Sequence, residues 1–186
     1  MSTKFISPKG IAKYPHFLSP DTQGKFPTGK YSTKLILTPE EAKDFIAMID
    51  KAAVGHKSGD PKLPYKQELV KDGEAKKKSG NIQLSFSSKF PPIILDGKNK
   101  PIDLHKVAKD FDIGSGSTVR IAGEVYSYDT GISLQMQQVQ LLNLVNGRES
   151  MFDTDDEGTF DGSEYEADDD TSKGSFTEEN VKALGI

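Results

Sequence analysis

The chain has 186 residues, of which 34% are hydrophobic and 28% are charged, and its formal net charge is −4. Such a length fits one domain, or one domain with a tail, and the hydrophobic fraction is low for a chain that forms a core throughout. The absence of cysteine excludes disulfide frameworks, zinc ribbons and thiol catalysis. Because there is no apolar run of signal-peptide length and none of the roughly 20 residues of a membrane span, we expect a cytoplasmic protein.

Charge is distributed unevenly along the chain. Residues 1–150 hold 22 basic and 16 acidic residues, a net charge of +6, whereas residues 151–186 hold 2 basic and 12 acidic residues, a net charge of −10. A basic body followed by an acidic tail is typical of proteins whose ligand is a polyanion. The tail is too acidic to bury itself, so the sequence predicts one domain over residues 1–150 and a largely disordered tail over residues 151–186.

The first clear elements are a strand and a helix. Residues 30–38 alternate between apolar and polar side chains, which predicts a strand with one core face. Thr38 suits the N-cap of a following helix, Pro39 its first position, and Glu41 completes a capping box. An apolar stripe at helical spacing then continues until Gly55, which predicts that one face of this helix packs on the core.

The next segment is polar and rich in lysine. Residues 56–80 include Lys76, Lys77 and Lys78 in a row and predict a long exposed loop. Residues 81–89 alternate again and predict a strand.

The last part of the body predicts most of the sheet. Residues 92–102 predict two short strands around an Asp-Gly turn, residues 103–111 a short amphipathic helix, and residues 117–128 a strand with one apolar face. In residues 132–144 the alternation slips by one near Gln137, which is the signature of a β-bulge. Five or more mostly antiparallel strands with one or two helices predict a mainly β protein built on a small closed barrel.

Side chains for catalysis are poorly supplied. The histidines, His16, His56 and His105, are far apart and match no metal-ligand spacing, and neither a phosphate loop nor a GxSxG motif is present. We therefore predict that the protein is not an enzyme and has no cofactor or metal. A nuclease or annealing enzyme with metal-bound carboxylates is the alternative, which magnesium-dependent cleavage would reveal.

The tail offers a second alternative, calcium binding or another acidic interaction. Asp153, Asp155, Glu157, Gly158 and Glu164 nearly fit the pattern of an EF-hand loop. The fifth position is Glu rather than Asp or Asn, and no amphipathic helix follows to hold the carboxylates in place. We therefore favour a function carried by residues 1–150 over a calcium-binding or protein-interaction function of the tail.

Residue types for binding nucleic acid are better supplied. Single-strand binders combine a cationic groove for the backbone with aromatic rings on which bases stack. The predicted outer face of the strand at residues 117–128 offers both, and lysines on other elements extend it. The predicted DNA contacts are Lys30, Lys34, Tyr65, Lys76, Lys77, Lys78, Lys89, Arg120, Tyr126 and Tyr128.

The ordered set of segments resembles the single-stranded DNA-binding proteins of tailed bacteriophages, of the short-tailed coliphage type. The segments are GKYSTKLILTPEEAKDFIAMIDKA, the lysine-rich stretch with PYK, VRIAGEVYSY and SLQMQQVQLLNLV. The resemblance covers most of residues 1–150. It implies an OB-fold-like five-stranded barrel that coats and protects single-stranded DNA in phage DNA replication, recombination and repair. It places the protein in the cytoplasm of the host bacterium, associated with the nucleoid.

The resemblance also implies a role for the acidic tail. It implies that the tail competes with DNA for the basic groove and contacts replication proteins such as a polymerase or helicase. The predicted contacts in the tail are Asp153, Asp155, Asp156, Glu157, Asp168, Asp169, Asp170 and Phe176. Strand order in the barrel and the formation of a homodimer stay open at this point.

Overall fold

The computed structural model of the protein describes residues 3–23, 25–107 and 111–146. These residues form eight strands and one helix, and none of them forms a helix long and apolar enough to cross a membrane. The elements are β1 (Thr3–Ile6), β2 (Gly10–His16), β3 (Tyr31–Leu37), α1 (Pro39–Ala53), β4 (Tyr65–Asp72), β5 (Ala75–Ser88), β6 (Ile93–Leu95), β7 (Thr118–Tyr128) and β8 (Gly131–Asn143). The predicted boundary near residue 150 and the predicted tail lie outside the described residues.

Five of the strands close into a ring. β2 pairs with β3, β3 with β5, β5 with β8, β8 with β7, and β7 returns to β2. The β5–β8 pair is parallel and the other four pairs are antiparallel. This ring confirms the OB-fold-like five-stranded barrel, and it fixes the strand order that the sequence leaves open.

The bulge predicted in the last strand is present in β8. Ala122 of β7 lies opposite Gln138, but the next residue, Gly123, lies opposite Met136, so Gln137 is the extra residue. Gly123 suits this position because a Cβ atom there would collide with the carbonyl oxygen of Gln135. The bulge increases the local twist, which lets the long β7–β8 pair bend around the barrel.

The helix begins and packs as predicted. The Glu41 N–H donates to Thr38 Oγ1 (3.3 Å), and the Thr38 N–H donates to the Glu41 carboxylate (3.0 Å), which completes the capping box. Phe45 is buried on the inner face of α1, with its ring centroid 5.5 Å from that of Phe5 and 6.4 Å from that of Phe86. The apolar stripe of the helix therefore packs on the barrel core.

A β-hairpin replaces the later part of the loop predicted for residues 56–80, whereas residues 56–64 form a loop with turns, as predicted. β4 pairs antiparallel with β5, so Lys76, Lys77 and Lys78 lie on a strand. Most side chains on both faces of this hairpin are exposed. A ribbon without a core face has no apolar alternation, which is why its sequence resembles that of a loop. We call residues 66–81 the arm.

A buried carboxylate holds the base of the arm. Glu68 accepts hydrogen bonds from Ser79 Oγ (2.7 Å), Lys13 Nζ (3.1 Å) and Asn81 Nδ2 (3.4 Å). Burial raises the pKa of Glu68, but these hydrogen bonds outweigh it and leave the pKa below its ordinary value. The ionised carboxylate thus ties the arm to β2 of the barrel.

The prediction for residues 92–102 is half right. β6 forms, but the second expected strand is a single bridge between Leu95 and Pro101. The turn between them is present, and the Asp96 carboxylate accepts backbone N–H groups within it. Proline has no N–H to donate, so it cannot continue a ladder of hydrogen bonds.

The helix predicted for residues 103–111 does not form over its described part. Residues 103–107 form a turn, and residues 108–110 lie outside the described residues. The Asp103 carboxylate accepts the His105 N–H at 3.0 Å. Such a local side-chain hydrogen bond competes with a helical backbone.

Candidate nucleic-acid interface

The outer surface of the barrel carries a groove of about 560 Å³ beside β5, β7 and β8, which we call the tyrosine groove. Its lining is Lys30, Ser87, Ser88, Lys89, Tyr126, Tyr128, Ser133 and Gln135. Strand register produces this lining, because Ser87 lies opposite Gln135 and Tyr126 lies opposite Ser133. The two tyrosine side chains, 51% and 37% exposed, thus stand beside short polar side chains.

A second cavity, of about 390 Å³, adjoins the tyrosine groove because Ser87 lines both. We call it the Tyr14 pocket, and its lining is Tyr14, His16, Asp21, Thr28, Ser32, Thr33, Lys34, Ser85, Phe86 and Ser87. Between β3 and β5, Lys34 lies opposite Ser85 and Ser32 lies opposite Ser87. The small polar side chains therefore continue from one cavity to the next across the strands of the barrel.

Lysines cluster at the Tyr14 pocket. Lys13 lies directly opposite Lys34 between β2 and β3. Burial lowers the pKa of Lys34, and the positive charges of Lys66 and Lys13 lower it further. Glu68 lies 3.1 Å from Lys13 and neutralises part of this charge. Like charges opposed across strands are unfavourable, so the cluster is suited to a bound phosphate.

Half of the predicted DNA contacts come together on this surface. Lys30, Lys89, Tyr126 and Tyr128 line the tyrosine groove, and Lys34 lines the adjoining Tyr14 pocket. They lie on three different segments of the chain, at residues 30–34, 89 and 126–128, which the ring of strands brings side by side. The sequence predicts the residue types, and the barrel closure brings them together.

Tyr65 is directed to the helix instead. Its hydroxyl donates a hydrogen bond to Asp50 Oδ1 of α1 at 2.8 Å. Burial, together with the hydrogen bond and the negative charge of Asp50, raises the pKa of Tyr65 to about 12. The ring packs against the core, so Tyr65 joins the start of β4 to the helix.

Arg120 also lies away from the two tyrosines of its own strand. It lines a separate cavity of about 210 Å³ together with Ile6, Leu95, Gln138 and other residues. Its Nε atom is buried and has no hydrogen-bond partner among the described residues. Arg120 lies on the same face of β7 as Tyr126 but six residues earlier, about 20 Å away along the strand, so the two side chains line different cavities.

The remaining predicted contacts lie on the arm. Lys76 lies opposite Lys71 and Lys78 opposite Leu69, so these residues share one face of the ribbon. Lys77 lies on the other face, where it forms an ion pair with Asp72. The arm therefore presents cations without aromatic rings, an arrangement that suits phosphate contacts rather than base stacking.

Metal ligands are not grouped in the part of the chain that the structure describes, where no cluster of three or more His, Asp or Glu side chains could hold an ion. The EF-hand-like stretch and the predicted tail contacts, from Asp153 to Phe176, lie outside the described residues.

Sequence reasoning missed Tyr14. Pro15 follows it and argues against a strand interior, so β2 is not evident from the sequence. The signal that could have identified it is an aromatic residue directly after Lys13 in the short alternating segment GIAKYPH.

Comparison by sequence identifies no relatives: no family model matches the chain, and no curated protein matches it.

Comparison by structure identifies phage proteins. The structure of gp2.5, a single-stranded DNA binding protein encoded by bacteriophage T7, matches with a TM-score of 0.53 and 19% identity, over 82% of this chain and 98% of that chain. The single-stranded DNA-binding protein from bacteriophage Enc34 matches with a TM-score of 0.53 and 18% identity, over 87% and 89%. Its complex with single-stranded DNA gives a TM-score of 0.52 and 18% identity, over 75% and 85%. At these identities the likeness is one of fold: the chain has the fold of these phage single-stranded DNA-binding proteins.

Proposed function

We propose that the protein binds single-stranded DNA without sequence preference. The tyrosine groove carries this proposal, because two exposed tyrosine rings stand there beside lysines and short polar side chains. Bases can stack on the rings, and the ammonium groups can pair with phosphates. The rest of the lining, Ser87, Ser88, Ser133 and Gln135, is uncharged, so no fixed charge there selects one base over another.

The fold supports the same function. The proteins from phages T7 and Enc34 that share this fold are single-stranded DNA-binding proteins, and the Enc34 protein has been solved with DNA. OB barrels serve many functions, so the fold alone does not carry the proposal. The groove chemistry and the fold point in the same direction.

The biological role follows from this binding. We propose that the protein coats and protects single strands during phage DNA replication, recombination and repair, without catalysing a reaction. Its place of action is then the nucleoid region of the host cytoplasm. We further propose that the acidic tail competes with DNA for the groove and contacts replication proteins such as a polymerase or helicase.

The decisive experiment compares ligands of equal length. The protein is titrated into a fluorescein-labelled oligothymidylate and into a labelled duplex, and anisotropy reports binding. The single strand should bind far more tightly, because stacking requires base faces that a duplex hides. The logarithm of affinity should fall with the logarithm of salt by about 0.7 for each phosphate contact. Equal affinity for single strand and duplex would exclude the proposal.

A further inference from the structure

Tyr14 has an unusual backbone for an exposed aromatic residue. Its φ is +51°, in the left-handed region that residues other than glycine rarely adopt. Pro15 follows it, which restricts the backbone further. The side chain is nevertheless 59% exposed, so burial of the ring does not account for this conformation. Strained residues of this kind cluster at binding and active sites.

The surrounding structure holds Tyr14 in this conformation. The register between β2 and β3 shifts between Lys13 and His16, which places Tyr14 in a bulge. The Tyr14 N–H donates to Ser115 Oγ at 3.0 Å, and the Gly116 N–H donates to the Ala12 carbonyl at 2.9 Å. Bulges re-aim side chains, and this one directs the ring into the cavity that adjoins the tyrosine groove.

Two ammonium groups lie close to the ring. Lys34 Nζ is 5.3 Å and Lys13 Nζ is 5.8 Å from the Tyr14 ring centroid. A cation over an exposed ring contributes only about 0.5–1 kcal/mol, and these two lysines repel each other across the strands. A nucleotide would satisfy both groups, with its base on the ring and its phosphate at the lysines.

We propose that Tyr14 and Lys34 form a second nucleotide subsite, in which Tyr14 stacks on a base and Lys34 contacts the backbone of the same DNA strand that occupies the tyrosine groove. This inference rests on the proposed function and adds the route that the bound DNA takes across the barrel. The DNA strand would cross the barrel surface from Tyr126 on β7, over β8, β5 and β3, to Tyr14 on β2. Ser87, which lines both cavities, lies on this path.

The length of the path sets the oligonucleotide that is needed. Along the route over β8, β5 and β3, four strand spacings of about 4.8 Å lie between β7 and β2, which gives about 19 Å along the surface. One OB fold covers about 4–16 nucleotides. The shortest ligands should therefore occupy one cavity, and longer ligands both.

The test uses the full chain and oligothymidylates from about 3 to about 16 nucleotides, a range that brackets this footprint. Tyr14→Gly removes the ring while keeping a residue that accepts a positive φ. Tyr14→Phe keeps the ring, and Phe26→Leu is the matched control. Phe26 is also exposed and has a lysine ammonium 5.6 Å from its ring, but it lines neither cavity.

We expect Tyr14→Gly to weaken binding of the longest oligonucleotides by about 5- to 150-fold, the equivalent of one lost stacked base. Tyr14→Phe and Phe26→Leu should bind like the unaltered protein. On long ligands, the double variant should lose affinity by the product of the losses of Tyr14→Gly and Tyr126→Ala. On the shortest ligands the combined loss of affinity should be smaller than on long ligands, because one short chain cannot reach both rings.

Three results would overturn the subsite. They are unchanged affinity of Tyr14→Gly at every length, an equal loss in Phe26→Leu, or a loss in Tyr14→Phe as large as in Tyr14→Gly. Thermal unfolding of each variant shows that the fold is kept, and if Tyr14→Gly unfolds, Tyr14→Asn replaces it because Asn also tolerates a positive φ. If the unaltered protein fails to prefer single strands, the proposed function itself is wrong. If it prefers them and Tyr14 does not matter, only the subsite is wrong.

Discussion

Tyr126 and Tyr128 stand exposed at the end of β7, and their rings are the proposed stacking surfaces of the tyrosine groove. We expect Tyr126→Ala and Tyr128→Ala each to weaken binding of single-stranded DNA by about 1–3 kcal/mol, the contribution of one stacked base. The salt dependence should change little, because neither side chain carries charge. Anisotropy titration at several salt concentrations measures both quantities. Variants that unfold, or that bind as the unaltered protein does, would contradict this role.

Lys34 should show a trade-off between stability and binding. Burial lowers its pKa, and the positive charges of Lys66 and of Lys13, which lies opposite it, lower the pKa further. Because the charged form is disfavoured in the folded state, it destabilises the free protein fully at pH values below the folded pKa, and this penalty declines as pH rises from the folded pKa to the higher unfolded pKa. We expect Lys34→Gln to raise the free energy of unfolding at neutral pH by about 0.2–1 kcal/mol, the range for a cross-strand pair.

The same substitution should weaken DNA binding. We expect Lys34→Gln to reduce the slope of log affinity against log salt by about 0.7, the value of one phosphate contact on a single strand. Lys106→Gln is the matched control, because that exposed lysine is paired with Asp103 in a turn outside both cavities. A slope unchanged by Lys34→Gln, or changed equally by Lys106→Gln, would remove Lys34 from the interface. Urea unfolding gives the accompanying stability.

At the scale of an element, the arm depends on Glu68. This carboxylate is buried and accepts hydrogen bonds from Ser79, Lys13 and Asn81, and its pKa is lowered. A carboxyl with a lowered folded pKa contributes stability above its unfolded pKa and loses it as pH falls through the folded pKa. We expect Glu68→Gln to cost about 1–3 kcal/mol at neutral pH, because a charged hydrogen-bond acceptor is lost.

Unfolding measured at neutral and acidic pH tests this expectation. The difference between Glu68→Gln and the unaltered protein should shrink as the solution becomes more acidic, since the unaltered carboxyl is then protonated too. Asp72→Asn is a suitable control, because its ion pair with Lys77 lies at the exposed end of the arm. A difference that is constant with pH, or as large in Asp72→Asn, would show that the Glu68 charge does not hold the arm.

For the whole molecule, the opposed charges of body and tail predict autoinhibition. Residues 1–150 carry +6 and residues 151–186 carry −10. A tethered tail acts at an effective concentration on the order of millimolar. We expect deletion of residues 151–186 to tighten DNA binding, and to do so less at about 0.2 M salt than at about 0.05 M, because salt screens both interactions.

A charge-neutralised variant shows whether the inhibition comes from the negative charge of the tail or from its presence alone. A full-length chain in which the ten acidic residues from Asp153 to Asp170 become Asn or Gln should bind as tightly as the deleted chain. Both should lose binding to replication proteins in a pull-down with purified polymerase or helicase. If neither variant binds DNA more tightly at low salt, the tail only adds solubility.

The sequence by itself determined the features that depend on local pattern. Alternation in residues 117–128 gave the buried and outer faces of β7, and the slip near Gln137 gave the bulge in β8. The capping box at Thr38 and Glu41 gave the start of α1. These predictions were right because the period of apolar residues and the chemistry of a cap act between residues close in the chain.

Only the tertiary structure decided which of these faces meet. Pairing of β5 with both β3 and β8 places the Tyr14 pocket beside the tyrosine groove, whereas Arg120, six residues before Tyr126 on β7, lines a different cavity. The hydroxyl of Tyr65 found a partner on α1, and residues 65–80 of the predicted loop became a paired ribbon. These outcomes depend on pairing between strands far apart in the chain. Local periodicity reports that a side chain faces outward, but not which neighbouring strand lies beside it.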